Sequence, residues 1–289
     1  MNKRKRRRRD CSWVTLVIFA LLFALPIVLT ISNSFMSADE IDRSYAAAIG
    51  TGTDAYINEQ VVLKFIPDMV SLEQYNTFLF NSPEYLKQFW NSLFYAVPIT
   101  LLQTAVSAMA AFWLSQSLSR SRRVITFGYI LLALLPQQVT LVPNYLVCKW
   151  LGIYDSMWAI LLPGIFSSFG VFLLERSMRR IPSCYAEAAR LDSAGEWVIF
   201  TRIYLPQCKS ALVSVGMLIF FDYWNMVEMP LVLLESTDLW PLSVTIYQIN
   251  QTDTGVAFAS AVVYLIPCLL LFLGGEQYLE DGLTTGGVK

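Results

Sequence analysis

Trp13-Val14-Thr15-Leu16-Val17-Ile18-Phe19-Ala20-Leu21-Leu22-Phe23-Ala24-Leu25-Pro26-Ile27-Val28-Leu29-Thr30-Ile31 runs without a charge, directly behind the basic stretch Lys3-Arg4-Lys5-Arg6-Arg7-Arg8-Arg9. About 20 apolar residues in helical form cross the roughly 30 Å of bilayer hydrocarbon. In lipid the backbone must satisfy its own polar groups, so such a run is a helix and not an open strand. The run is longer than the roughly 7–15 residues of a signal-peptide core. It ends in Ser32-Asn33-Ser34-Phe35 without a clear small-x-small site, so the expectation is an uncleaved first span.

Five further runs of the same kind follow. They are Phe89–Leu114, then Val124–Val147 interrupted by Pro136 and Pro143, Met157–Leu174, about Ala211–Leu234, and Val256–Leu273. The fifth carries two acids, Asp222 and Glu228. Composition agrees: of 289 residues, 55% are hydrophobic and only 15% charged, with a mean hydropathy of +0.50. Soluble domains carry about 25% charged residues. The fold class expected is therefore an all-α integral membrane protein with six transmembrane helices.

Basic residues gather on the cytoplasmic side of such proteins. With the N-terminus inside, the N-terminal tail holds seven. The second-to-third loop adds Arg120, Arg122 and Arg123. The fourth-to-fifth loop adds Arg176, Arg179, Arg180, Arg190, Arg202 and Lys209, and the C-terminal tail adds Lys289. Only Arg43, Lys64, Lys87 and Lys149 fall outside. The expected topology is N-in and C-in. The basic run then serves as a topology anchor, and no nucleic-acid partner is expected. The organisation that follows is a basic tail over 1–12, a membrane domain over 13–281 and a tail over 282–289. The membrane domain includes an external segment, 32–88, and an internal loop, 175–209. Short helices are expected in the second half of the external segment. The 235–255 loop, with three acids and no base, is either a plain connector or a surface for an external partner. Trp90, Trp150, Trp158 and Trp240 sit near span ends and read as interface anchors.

Several chemistries drop out. There is no histidine, which removes the commonest general base and metal ligand. Cys11, Cys148, Cys184, Cys208 and Cys268 are scattered, without metal or disulfide spacing. No G-x-x-x-x-G-K-[ST] loop is present to cradle nucleotide phosphates. The expectation is no metal and no cofactor bound by the chain.

The internal loop has its own pattern. Pro182-Ser183 offers a helix start, and the Ala-rich Cys184–Asp192 stretch follows. Gly195 reads as the break, and Glu196–Tyr204 as a second helix running into Leu205-Pro206. Small side chains on a short helix suit close docking into another protein; the alternative is a passive interfacial helix.

Glu187-Ala188-Ala189, Asp192-Ser193-Ala194 and Ile203-Tyr204-Leu205-Pro206 resemble the EAA loop of ABC importer permeases, E-A-A-x-x-D-G-A followed by I-x-L-P. Ser193 stands where that pattern carries glycine, and Gly195 is a candidate for the displaced bend. Asn91-Ser92-Leu93, Leu135-Pro136, Val142-Pro143, Leu151-Gly152-Ile153, Phe172-Leu173-Leu174, Trp224-Asn225 with Pro230-Leu231, and the ending Gly282 to Lys289 resemble the carbohydrate, maltose-type branch. The resemblance implies a type I importer permease fold with a cytoplasmic coupling helix. It also implies partners: a homologous permease subunit, two ATPase subunits that bind ATP and magnesium, and an extracytoplasmic solute-binding protein. The residues implied for coupling are Glu187, Ala188, Ala189, Asp192, Ser193, Gly195, Leu205 and Pro206.

Polar groups inside spans are costly and face a cavity or a partner. Asp222, Asn225 and Met229 share one face of an unbroken helix, with Glu228 about a third of a turn away. Asp222, Tyr223, Trp224, Asn225 and Glu228, with Gln137 and Gln138 of the third span, are the candidate solute contacts. Their alternative role is helix-packing glue. A secondary transporter or a non-transporting membrane scaffold are the competing readings.

Overall fold

The computed structural model describes residues 3–49, 64–116 and 120–284, and these are mostly helical, with no strand among the described residues. The polar 50–54 stretch and the 285–289 end of the C-terminal motif lie outside the described residues. In chain order the helices are α1 (Lys3–Asn33), α2 (Ala38–Ile49), α3 (Glu73–Asn76), α4 (Pro83–Ser115), α5 (Arg120–Ala133), α6 (Gln137–Leu151), α7 (Met157–Ile165) and α8 (Ser168–Met178). Then follow α9 (Ser183–Leu191), α10 (Glu196–Ile199), α11 (Leu205–Gln207), α12 (Lys209–Trp224), α13 (Glu228–Leu233), α14 (Leu242–Thr252) and α15 (Thr254–Thr284).

Among the described residues, four helical stretches are long and apolar enough to cross a membrane: Thr15–Asn33, Pro83–Ser115, Met157–Met178 and Thr254–Leu279. Two bent pairs raise the number to six if each is one span. Ser121–Ala133 and Gln137–Leu151 meet at 98°, and Glu196–Gln207 and Lys209–Trp224 meet at 79°. The first bend has a local cause. Pro136 lacks an N–H and disfavours helical backbone at Leu135 before it. It adopts an extended conformation, φ −59° and ψ 140°, and α6 restarts behind it.

Two expected boundaries need correction. The fifth span was expected over about Ala211–Leu234, but α12 ends at Trp224 and the chain turns through Asn225–Val227 before α13. Asp222 and Glu228 therefore stand on different helices. The 235–255 loop is more than a plain connector, since a 3₁₀ turn at Thr237–Leu239 and helix α14 occupy it.

The chain divides into two compact units. The first comprises 1–86 and 245–266. Met36, Ile41 and Tyr45 form its buried cluster, with Phe258 packed against them. Phe35 and Tyr75 rings lie 5.4 Å apart, and the Ser34 and Tyr75 hydroxyls are 2.7 Å apart. Glu40 is buried, and its carboxylate meets the Lys64 ammonium at 2.8 Å and the Asp68 N–H at 2.9 Å. The order expected around Phe65–Tyr75 comes from these ties, with helix only from Glu73 onward.

The second unit comprises 87–244 and 267–289. Tyr95, Ile99, Ile160, Leu174, Met178, Ile199 and Leu233 are fully buried in its core. Helices approach closely at small residues, as membrane helices do. A Cβ on Gly164 would lie 2.8 Å from Ile99 Cδ1, and one on Gly170 would lie 2.7 Å from Ser107 Oγ. Trp240, read as an interface anchor, is instead a half-buried member of this core, its indole N–H donating to Leu234 O at 3.3 Å.

Asp155 ties the α6–α7 turn to the start of the 235–255 loop. Its carboxylate accepts from Glu235 N at 2.9 Å, Ser236 N at 2.8 Å and Ser236 Oγ at 2.7 Å. The Ser236 backbone bond first, then the Ser236 hydroxyl and the Glu235 N–H, hold this carboxyl below its usual range, against a desolvation cost. A carboxyl lowered in the folded state stabilises fully above its unfolded pKa, about 3.9 for aspartate. That contribution fades as pH falls through the lower, folded value. Hydrogen exchange at the Glu235 and Ser236 amides should accelerate as pH is taken below about 4, after correction for intrinsic rates, and Asp155→Ala should give the faster rate already at pH 7. Amides unaffected by Asp155→Ala would remove this cap.

Candidate functional site

Three helix interruptions in the second unit line one cavity of about 1000 Å³. Between α5 and α6 the break contributes Leu135, Gln137 and Gln138. Between α7 and α8 it contributes Phe166, Ser167 and Ser168. Between α12 and α13 it contributes Asn225, Met226 and Val227, flanked by Asp222, Tyr223, Glu228 and Met229. Thr140 and Asn144 of α6 and Phe169 of α8 complete the polar and aromatic lining. Irregular backbone at membrane depth is tolerated where it is buried in protein or lines a water-filled cavity. Ser167 shows how such an end is satisfied, its hydroxyl accepting from Phe169 N at 3.3 Å.

The two glutamines and the two acids pair across the cavity wall. Gln137 Nε2 donates to Asp222 Oδ2, and Gln138 Nε2 to Glu228 Oε1, each at 3.1 Å. Consecutive residues at the start of α6 thus reach both ends of the α12–α13 break. Asn225 Nδ2 donates to Phe221 O at 2.8 Å, the same carbonyl that accepts from the Asn225 backbone N–H at 3.2 Å. Tyr223 OH donates to Gly164 O at 3.4 Å. The helix-face argument for Asp222, Asn225 and Met229 does not hold, because the helix stops at Trp224; the break itself brings them together. Trp224 does not join them. It is fully buried, edge-on to Phe89 and stacked on Phe220.

The 175–209 loop forms a second feature. Ala186 is buried and Ala189 half-buried against the core, so the opposite stripe of α9, Cys184, Glu187, Ala188 and Leu191, faces outward. Leu191 is 87% exposed and Trp197 66% exposed, which is unusual for large apolar side chains, although the Trp197 ring lies 5.5 Å from that of Phe200. The helical arm from Glu196 anchors inward through Ile199, Phe200 and Tyr204, with Phe112 of α4 at 5.2 Å from Phe200 and 5.0 Å from Tyr204. Leu205 packs against the same core, while Pro206 is exposed. A π-helical turn, Phe200–Tyr204, precedes Pro206, whose missing N–H and ring do not fit a regular α-turn.

Arg190 closes the corner between the arms. It donates to Glu196 Oε1 at 2.7 Å and Oε2 at 3.2 Å, and to Gln116 Oε1 at 2.9 Å beyond the end of α4. The bond to Arg190 holds the Glu196 carboxyl below its usual range.

The bend is made by Ser193 itself. Its φ is +62°, the left-handed conformation that glycine adopts without cost and other L-residues disfavour by about 1–2 kcal/mol. Gly195, expected to supply the bend, has an ordinary φ of −70° and open space where a Cβ would go. Ser193→Gly is therefore expected to raise thermal stability by about 0.5–1 kcal/mol, and Gly195→Ala to be neutral or slightly stabilising. A thermal midpoint lowered by Gly195→Ala would return the bend to Gly195.

Residues 89–284 match the family described as binding-protein-dependent transport system inner membrane component. The chain belongs to that family. As an inner-membrane transport component it is a permease subunit of a membrane importer and not an enzyme. The permease is 27% identical, over 95% of both chains, to the polygalacturonan/rhamnogalacturonan transport system permease protein YtcP of Bacillus subtilis. It is also 27% identical to the arabinooligosaccharides transport system permease protein AraQ of the same organism, over 94% of this chain and 93% of that one. Its fold is similar to that of a bacterial ABC transporter involved in the import of the acidic polysaccharide alginate. The TM-score there is 0.78 over 96% of this chain and 98% of the other, at 22% identity. No support for a secondary transporter or a scaffold comes with this membership.

Sequence reasoning missed Ser167, Ser168, Thr140 and Asn144 of the permease's cavity, and Leu191 and Trp197 of its loop. A signal existed for the serines: Pro163-Gly164 followed by Ser167-Ser168 interrupts an otherwise apolar span. None existed for Leu191, since an apolar residue on an amphipathic helix reads as its buried face.

Proposed function

We propose that the cavity at the three helix breaks is this subunit's share of the solute chamber of an ATP-driven importer, and that the solute is a sugar or oligosaccharide. The observation that carries this is the lining. Two carboxylates, several amides and hydroxyls, and the rings of Phe166, Phe169, Phe221 and Tyr223 surround one space. Carboxylates and amides suit sugar hydroxyls, and aromatic faces suit the apolar faces of sugar rings. The names of YtcP and AraQ agree with that class.

In this reading the chain crosses the membrane six times with both ends inside. Residues 1–12 and 282–289 are cytoplasmic tails, and 32–88 is external. A binding protein delivers the solute from outside, and a homologous permease closes the chamber. The outward stripe of α9 seats on one of two ATPase subunits, where ATP and magnesium act. ATP-driven closure of the ATPase pair moves the loop, and the corner fixed by Arg190, Glu196 and Gln116 transmits that movement to α4. A ligand biases such a two-state equilibrium only through its different affinity for the two states.

Uptake tests the chamber. Asn144→Trp projects a large ring into the cavity, and cells carrying the whole importer should lose about ten-fold or more of their oligosaccharide uptake, equivalent to about 1.4 kcal/mol of lost binding. The complex should still co-purify. Uptake unchanged by the blocking tryptophan would take the cavity off the solute path.

A further inference from the structure

Charge separates the possible solutes, and this inference rests on the chamber reading above. The cavity wall carries two acidic side chains, Asp222 and Glu228, and no lysine or arginine of the described residues lines it. Each acid already accepts one bond, from Gln137 and Gln138. Amide donors orient the carboxylates without neutralising them. A carboxylate offers about four lone-pair sites, so each keeps free acceptor capacity toward the cavity. Those sites are met by hydroxyl donors. A sugar carboxylate brings only acceptors and a like charge, and like charges facing each other across a site are a strong means of excluding a ligand.

We infer that this subunit selects uncharged, hydroxyl-rich oligosaccharides and rejects uronic-acid oligomers, through Asp222 and Glu228. Specificity of this kind is a difference of two affinities, reached as much by repelling one ligand as by attracting the other. The polygalacturonan named for YtcP and the alginate transported by the structural neighbour are acidic, whereas arabinooligosaccharides are not. On this account the chain falls with AraQ in the charge of its solute. The discriminating groups sit on the α12–α13 break and are aimed by the first two residues of α6. Exchange of these few side chains at one break would therefore retune solute charge without changing the fold.

Equilibrium binding separates the possibilities. The assembled permease pair with its ATPases, in nanodiscs and without the binding protein, is titrated with radiolabelled arabinotriose and with trigalacturonate at fixed ionic strength. Arabinotriose should bind at least about ten-fold more tightly, about 1.4 kcal/mol. The isosteric pair Asp222→Asn and Glu228→Gln should narrow the gap to within about two-fold, chiefly by strengthening trigalacturonate binding, with higher salt narrowing it in the wild type as well. Trigalacturonate bound by the wild type as tightly as arabinotriose overturns the inference and leaves the chamber standing. A gap that persists in the neutralised variant also overturns it, by moving the discrimination elsewhere. Neither sugar bound by the wild type removes the chamber and the inference together.

Discussion

Glu187→Lys combined with Ala188→Asp is expected to reduce uptake by ten-fold or more while leaving the permease folded and in the membrane. Both residues lie on the outward stripe of α9, and neither contributes to the buried face formed by Ala186 and Ala189. Surface changes of this kind cost a protein about 0.5 kcal/mol or less of its own stability. At the centre of an interface a reversed charge and a new buried acid cost about 2 kcal/mol or more, enough to dissociate a partner in detergent. Co-purification with the ATPase subunit is the readout, and Ser193→Gly is the control that touches the same loop without touching the stripe. An ATPase retained in full by the double variant would take the docking role from α9.

Gly164→Leu should be the most damaging single substitution for the fold itself. The Cβ alone would press on three atoms of Ile99, at 2.8, 3.1 and 3.1 Å, and Ile99 is a fully buried, β-branched side chain with little freedom to move. Overpacking of this sort costs about 1–3 kcal/mol. Gly164 also lends its carbonyl to Tyr223 and adjoins Pro163 in the cavity wall, so binding should weaken as well. Gly275→Ala is the informative comparison. Its Cβ would collide with Met217 Sδ and Cε, but a methionine side chain bends away readily, and the expected cost is small. Thermal midpoints of the two purified variants decide it, and equal losses would contradict the packing described.

The apolar runs made the helical class legible, because bilayer thickness turns a run of about 20 apolar residues into a length requirement. Helix interruptions were legible only in part. Pro136 announced the sharp bend before α6, since proline removes an N–H at a fixed position. The stop at Trp224 had no such marker, for Asn225-Met226-Val227 is compatible with helix, and the two acids were accordingly read on one continuous helix, about a third of a turn apart. They meet Gln137 and Gln138 through a long-range approach that local periodicity does not encode. Trp224 illustrates the reverse error: an aromatic beside polar residues read as a ligand contact, and it is packing. In the loop, the pattern located the helices, while the bend was assigned to Gly195 on propensity. Ser193 takes that strained conformation instead, two bonds from Arg190 to Glu196 and one to Gln116 fixing the corner around it.

Modification of a single cysteine at Ser168 tests the account most directly. In the assembled importer, with the exposed native cysteines replaced, Ser168→Cys should react with a small cationic methanethiosulfonate reagent, and a saturating concentration of transported oligosaccharide should slow that reaction by about ten-fold. A cysteine at the buried Ala159 should stay inert throughout. Reaction at Ser168→Cys that the sugar leaves unchanged would contradict the claim that solute passes through the cavity at the three breaks.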